Sequence, residues 1–316
     1  MESPKHPTSI DFRAQISKVV AFAMALLLAA CAAPAATPAG PREMIDGLGR
    51  QISLELPVER IVSLAPSNTE MLFEIGAGSQ VVGRDEASDY PAQALEVASI
   101  GNTFGELNTE AILALEPNLV LAADITAPEQ LQSLEALGLT TFVISNPMQF
   151  DGLYENLITL GEITGHSAAA ADLVEGLRGR VEDVTVLTDD VLPTTVFYEI
   201  DGSDPNAPWT TGSGTFQDLL IEMAGGTNVA SDIQGWGQID LEQVVLQDPE
   251  VIVFAVGPFI ATTSQALSER AGWSGLEAVQ SGRVYPIDTN WVDRPGPRLV
   301  DGLEAFARAL HPDLFK

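Results

Sequence analysis

Leu107–Ala123, LNTEAILALEPNLVLAA, and Ile239–Ala255, IDLEQVVLQDPEVIVFA, are two versions of one pattern, with every position displaced by 132. Each has a glutamate near its start (Glu110, Glu242), apolar residues at helical spacing, a proline seven residues after the glutamate (Pro117, Pro249), and then an apolar run of strand length. The pattern predicts a helix–turn–strand unit, twice. Asn108 and Asp240 stand where a helix takes an N-cap, and the prolines end the helices because a proline disfavours helical dihedrals in the residue before it.

Working outward, Glu70–Val81, EMLFEIGAGSQV, matches Asp218–Val229, DLLIEMAGGTNV, at a displacement of 148. Both read as helices stopped by glycines. The two displacements differ by 16, so the first half carries about that many extra residues between its matched blocks. Two blocks repeated in one order imply two related α/β lobes. Between them, Ser167–Val184 is Ala-rich with apolar residues at helical spacing and predicts one long helix; Pro193 closes the segment and Thr194–Ile200 opens the second lobe as a strand. The expected boundaries are 43–150 for the N-terminal lobe, 151–190 for the helical linker and 191–316 for the C-terminal lobe. A single continuous α/β domain, with that helix as one more crossover, is the alternative.

The chain has 316 residues with 44 Asp plus Glu against 15 Lys plus Arg, a net charge of −29, and 46% apolar residues, which suits one large or two medium domains. Such a charge, with no basic patch, excludes a nucleic-acid partner. Cys31 is the one cysteine, so intrachain disulfides and Cys-x-x-Cys zinc or redox motifs are excluded. Lys5, Arg13 and Lys18 precede the apolar run Val19–Ala30, which has the length of a signal-peptide core and is too short to span a bilayer. Residues 1–30 are therefore expected to be a signal peptide. The run ends Leu28-Ala29-Ala30-Cys31, which resembles the lipobox of bacterial lipoproteins. That resemblance implies a diacylglyceryl group on the Cys31 sulfur and an extracytoplasmic protein anchored to the cell membrane; an ordinary signal peptide with a coincidental cysteine is the other reading. Residues 31–42 then form the lipidated cysteine and a Pro/Ala-rich tether.

Arg60–Gly76 (RIVSLAPSNTEMLFEIG), Ser88-Asp89-Tyr90-Pro91, the Leu107 unit and Asn290–Pro297 (NWVDRPGP) together resemble the substrate-binding lipoproteins of ABC importers. The subgroup is the one with a rigid helical backbone, which takes cobalamin, ferric siderophores, haem or certain metals. The resemblance runs from about Asp46 to the C-terminus. It implies two Rossmann-like α/β lobes joined by a single long rigid helix, with a ligand cleft between the lobes. It further implies a monomer without catalytic activity or resident cofactor, whose cargo is cobalamin or another metal chelate and whose partners are an ABC permease and its ATPase. The Ser-Asp-Tyr-Pro tetrapeptide and the tryptophan segment near the end resemble the cobalamin branch most. Phe104, in place of a frequent tryptophan, and Ala123-Asp124, where that branch can carry another, depart from it. A ferric siderophore or haem as cargo, and a surface-anchored corrinoid or haem store outside transport, stay open.

Six residues before each repeat glutamate stands an aromatic, Phe104 before Glu110 and Trp236 before Glu242. Rings ahead of equivalent helices in two lobes can cover the two sides of a broad flat ligand; otherwise each packs beneath its loop. By resemblance, Tyr90 contacts the ligand, and Asn290, Trp291, Asp293 and Arg294 meet its amide side chains. Arg294 could equally pair with Asp293 or a neighbouring acid. Trp209 is a further cleft candidate. Glu110 and Glu242 fall in the first helical turn, where the helix dipole favours a carboxylate in any protein; by resemblance they are the acids that meet the permease. His6, His166 and His311 are too scattered for a transition-metal site. Gly212-Ser213-Gly214 lacks the flanking pattern of a nucleophile elbow, no phosphate-loop motif occurs, and Gly76-Ala77-Gly78 ends a helix rather than opening one.

Overall fold

A computed structural model describes residues 40–257, 260 and 262–315. The signal peptide, Cys31 and nearly all of the tether expected from the sequence lie outside the described residues. The chain enters on an antiparallel hairpin, β1 (Arg42–Ile45) and β2 (Gln51–Leu54). Its turn closes on buried Asp46, which accepts from the amides of Leu48 and Arg50 at 3.1 and 2.9 Å and from the Arg50 guanidinium.

The first α/β set follows: β3 (Ile61–Ser63), α1 (Pro66–Glu74), β4 (Val81–Arg84), α2 (Thr109–Ala114), β5 (Leu119–Ala123), α3 (Pro128–Ala136) and β6 (Thr141–Ile144). Its strands form a parallel sheet in the order β4-β3-β5-β6. Then come α4 (Phe150–Thr164) and α5 (Ser167–Thr188). The second set is β7 (Thr194–Asp201), β8 (Trp209–Thr211), α6 (Phe216–Met223), β9 (Gly226–Asn228), β10 (Trp236–Gln238), α7 (Leu241–Gln247), β11 (Val251–Val256), α8 (Ser264–Ser268), α9 (Glu277–Gln280), β12 (Val284–Asp288), α10 (Thr289–Val292) and α11 (Leu299–Leu310). Here β9, β7, β11 and β12 repeat the parallel order of the first sheet.

The displacement of 132 carries α2 onto α7 and β5 onto β11, with Ile112 and Val244 as the fully buried residue of each helix. Both prolines act as expected: Glu116 and Asp248, the residues before them, leave the helix with φ of 45° and 43°. Asn108 caps α2 by accepting from Ala111 N at 3.1 Å, whereas Asp240 makes no side-chain cap. The matched helices α1 and α6 stop ahead of left-handed Gly76 and Gly225.

Insertions break the symmetry in opposite places. The first half spends its extra residues between β4 and α2, on the segment that holds Tyr90 and Phe104. The second spends its own between β7 and α6. There the end of β7 pairs antiparallel with β8, and β8 with β10, while the start of β7 pairs with β9.

The linker is two helices where the sequence pattern gave one. They fold back on each other about Gly165 and His166, and Gly161 permits the approach, since a Cβ there would lie 2.6 Å from that of Ala170. α5 runs on to Thr188, past the expected end, and its 22 residues span about 33 Å. No strand among the described residues pairs across the two sheets, yet one apolar core joins them. Ile61, Leu119 and Leu121 of the first sheet and Val196, Tyr198 and Val253 of the second bury their inner faces in it with Leu157, Val174, Val181 and Phe306. Alternate residues, Val62 and Val120 in one sheet and Phe197 and Ile252 in the other, pack outward against separate clusters, as period-2 strands covered on both faces require.

Candidate functional site

In parallel α/β sheets the loops leaving the carboxyl ends of the strands gather on one side, and ligands bind there. Every ligand residue expected from the sequence lies on such a segment. Tyr90 and Phe104 follow β4, Trp209 follows β7, Trp236 follows β9, and Asn290, Trp291, Asp293 and Arg294 follow β12.

Phe104 and Trp236 occupy corresponding links, β4 to α2 and β9 to α7, and neither packs beneath its loop: Phe104 is 67% exposed and Trp236 45%. Trp209, at 44%, is also open. The β8–β10 register sets Trp209 opposite Gln238 and Thr211 opposite Trp236, so the two indoles sit diagonally on one face of the ribbon. One side of the Trp236 ring leans on Phe216, centroids 5.8 Å apart and planes at 60°, and its Nε1 donates to Gln217 Oε1 at 3.1 Å. Among the described residues Phe104 has no ring contact or side-chain hydrogen bond of this kind. Its loop is held through the backbone: Phe104 N donates to Asn102 Oδ1 at 2.6 Å, and Gln130 of α3 donates to Thr103 O and Gly105 O at 3.0 and 2.5 Å.

The loop after β12 makes contacts within the protein. Thr289–Val292 is a short helix, and Trp291 is partly buried against the central core. Asp293 turns inward. Its Oδ1 accepts from Tyr198 Oη at 2.9 Å and Gln217 Nε2 at 3.0 Å, and its Oδ2 from Thr289 Oγ1 at 2.5 Å, so both oxygens are engaged within the protein. Burial pushes the Asp293 carboxyl above its usual range, and the three hydrogen bonds offset only part of that. Asn290 keeps a buried Oδ1 with no hydrogen-bond partner among the described residues.

Arg294 pairs with an acid, but with Asp89 of the first half and not with Asp293: Nη1 lies 2.6 Å from Asp89 Oδ1, and Nη2 donates to Ala87 O at 3.1 Å. Beside it Arg298, which no motif in the sequence marks, donates from Nε and Nη2 to Glu70 Oε2 at 2.9 and 2.7 Å and from its backbone N to Glu70 Oε1 at 3.1 Å. Its guanidinium carbon lies 3.8 Å from the centre of the Tyr90 ring. One face of Tyr90 is thus taken by an arginine. The Ser-Asp-Tyr-Pro segment and the segment after β12 touch each other and clasp the halves together. The Tyr90 turn is itself anchored, because Ser88 shares a 2.8 Å hydrogen bond with Thr69 and donates to buried Asp85, while Ala87 N reaches Asp85 Oδ2 at 3.0 Å.

A family model described as periplasmic binding protein matches residues 61–290, which takes in both sheets and the helices between them. The chain belongs to the periplasmic binding protein family. It is 31% identical over 309 residues to an uncharacterised ABC transporter substrate-binding lipoprotein of Bacillus subtilis, covering 92% of this chain and 95% of the relative. Over 291 residues it is 31% identical to a cobalamin-binding protein of Halobacterium salinarum, covering 89% of this chain and 75% of that protein. Among solved structures, the periplasmic vitamin B12 binding protein of Vibrio cholerae matches with a TM-score of 0.70 at 28% identity, over 82% of this chain and 99% of that one.

In this member of the periplasmic binding protein family, Glu110 and Glu242 stand in the first turns of α2 and α7, both exposed and neither in an ion pair among the described residues. His166 and His311 each hydrogen-bond a backbone carbonyl, Thr164 O at 3.0 Å and Gly225 O at 3.1 Å, and Ser213 Oγ donates to Ile233 O at 3.1 Å. Among the described residues no group of three His, Cys, Asp or Glu side chains is placed to hold a metal ion, and no helix is long and apolar enough to cross a membrane. The arrangement offers flat apolar faces and hydrogen-bonding groups.

Proposed function

We propose that this chain is the extracytoplasmic substrate-binding lipoprotein of an ABC importer, anchored through Cys31, and that it captures cobalamin or a related corrinoid and delivers it to the permease without catalysing a reaction. One observation carries the reading. Phe104 and Trp236 are exposed at corresponding places beyond the strand ends of two repeated halves, with Trp209 beside Trp236. Large rings left open to water cost apolar exposure, and each gains roughly 0.5–1.5 kcal/mol, beyond its buried area, when a π-system covers it. A corrin edge decorated with amides suits such a surface, with Asn290 among the polar groups beside it.

The test is a titration of the full-length chain with cobalamin, cobinamide, haem and ferric siderophores, followed by tryptophan emission. Trp209 and Trp236 report directly because both are exposed. Quenching by the corrinoids is expected. Quenching by haem or a siderophore alone would replace the cargo, and no response to any of them would overturn the reading.

Glu110 and Glu242 are assigned to permease docking, where charge pairs set register and encounter rate more than affinity. Glu110→Lys combined with Glu242→Lys should abolish uptake into cells while leaving the solution affinity for cargo intact. A large loss of that affinity would place the two acids in the cleft instead.

A further inference from the structure

The hydrogen bonds behind Trp236 run in one direction. An indole N–H can only donate, so Gln217 must turn its oxygen toward Trp236. The amino end of the Gln217 amide then faces Asp293, and only an acceptor can receive it there. Asp293 meets that demand because Tyr198 and Thr289 also spend their hydroxyl hydrogens on it. The carboxylate therefore fixes which way the amide points, and the amide fixes the ring.

From this geometry we infer that Gln217 and Asp293 are positioning residues for ligand capture: they hold the Trp236 indole in its binding orientation while neither touches the ligand. The inference rests on the function proposed above only for what the ring binds. The relay itself is a property of the free protein. It also explains why an acid from the tryptophan-bearing segment near the C-terminus lies inward: its effect on the cleft passes through Gln217. Phe216 supports the ring from its side, and the Nε1 hydrogen bond adds the directional restraint.

The test reads the ring with and without cargo. In the full-length chain labelled with 15N-tryptophan, the Trp236 indole resonance is assigned by its disappearance in Trp236→Phe. Gln217→Leu should move that resonance toward the position of a free indole and speed its hydrogen exchange about tenfold, the loss of one hydrogen bond. Asp293→Asn should shift the same resonance, because an asparagine amide can offer its NH2 to Gln217 and turn that side chain round. Should Asp293→Asn fail to fold, Gln217→Glu serves instead: its carboxylate can still accept from the indole but has no NH2 to give Asp293, so the two acids repel and the Trp236 resonance should move. A Trp236 resonance and exchange rate left unchanged by Gln217→Leu, or by whichever of Asp293→Asn and Gln217→Glu folds, would overturn the relay, since a merely structural role for Asp293 alters melting but not that signal.

Cobalamin affinity of Gln217→Leu should fall about tenfold, by the same lost hydrogen bond. Unchanged affinity alongside a displaced resonance would also overturn the role in capture. If the wild-type chain binds none of the chelates, the proposed function fails while the resonance still decides the relay.

Discussion

Phe104 and Trp236 hold the same position in the two halves and are prepared for a ligand in different ways. In the first half the loop is held and the ring is not: Asn102 and Gln130 brace the backbone on either side, and the phenyl group stands in solvent. In the second half the ring itself is held, by a hydrogen bond to Gln217 and by contact with Phe216. Repetition kept the place of an aromatic but not its preorganisation. A ring ordered before binding contributes more of its contact energy than one whose rotamers must be fixed on contact. The join between the halves is just as unequal. Arg298 reaches an almost fully buried Glu70, whereas Arg294 reaches an Asp89 that is 43% exposed.

The sharpest way to break that contrast is to remove each arginine in turn. Arg298→Ala strands a carboxylate buried beneath Gly296, and breaking a buried pair from one side costs about 3 kcal/mol or more. Arg294→Ala removes a partner from an exposed acid and should cost about 0.5 kcal/mol. Urea unfolding of the two variants measures both, and equal losses would show that the clasp is shared rather than concentrated at Glu70.

Next in size is the effect on the cargo. Trp236→Ala should weaken cobalamin binding by about 2 kcal/mol, as expected when a held aromatic anchor is truncated. Phe104→Ala should cost about 1 kcal/mol, because part of what its contact contributes goes into ordering the ring. Calorimetric titration avoids the lost fluorophore. A larger loss at Phe104 than at Trp236 would reverse the assignment of the anchor.

How much of this was legible in the sequence follows from the range of each interaction. The displacement of 132 located two helices, two strands and two helix-ending prolines, because these depend on local periodicity and dihedral preference alone. Phe104 and Trp236 were legible for the same reason, as they keep a fixed distance from a repeated helix. The partners of Arg294, Arg298 and Asp293 were not. Arg298 and Glu70 are 228 residues apart, and Trp236 and Gln217 stand on different elements, so no spacing rule connects them. Asp293 shows the consequence. Its place in the sequence marks it as a polar group near a ligand, and only the fold, which brings Gln217 of α6 to the segment after β12, turns it inward. The break at Gly165-His166 was visible as a Gly-His-Ser interruption, yet nothing local says that α4 folds back on α5 instead of joining it.

The smallest effect expected separates the clasp from the entry hairpin by pH. Burial pushes the Glu70 carboxyl above its usual value of 4.5, and Arg298 offsets only part of that. Burial also pushes the Asp46 carboxyl up, but the hydrogen bonds from Arg50 and from the Arg50 and Val143 amides outweigh it and hold the group below its usual 3.8. The signs are opposite. A carboxyl raised by folding binds its proton more tightly in the native state, so the stability linked to Glu70 declines as pH rises from 4.5 through its folded value. A lowered one favours the native state when ionised, so the contribution of Asp46 is complete above 3.8 and is lost as pH falls through its folded value. Each group can contribute at most about 1.4 kcal/mol per pH unit to the slope. Glu70→Gln should therefore flatten part of the stability change above pH 4.5, and only part, because buried Asp85 and Asp293 are raised in the same direction. Asp46→Asn should flatten the limb below pH 3.8 and leave the upper one alone. Denaturant midpoints measured across pH 2.5–7 distinguish the two, and a Glu70→Gln profile altered only below pH 4.5 would mean that Arg298 outweighs burial at the clasp as Arg50 does at the hairpin.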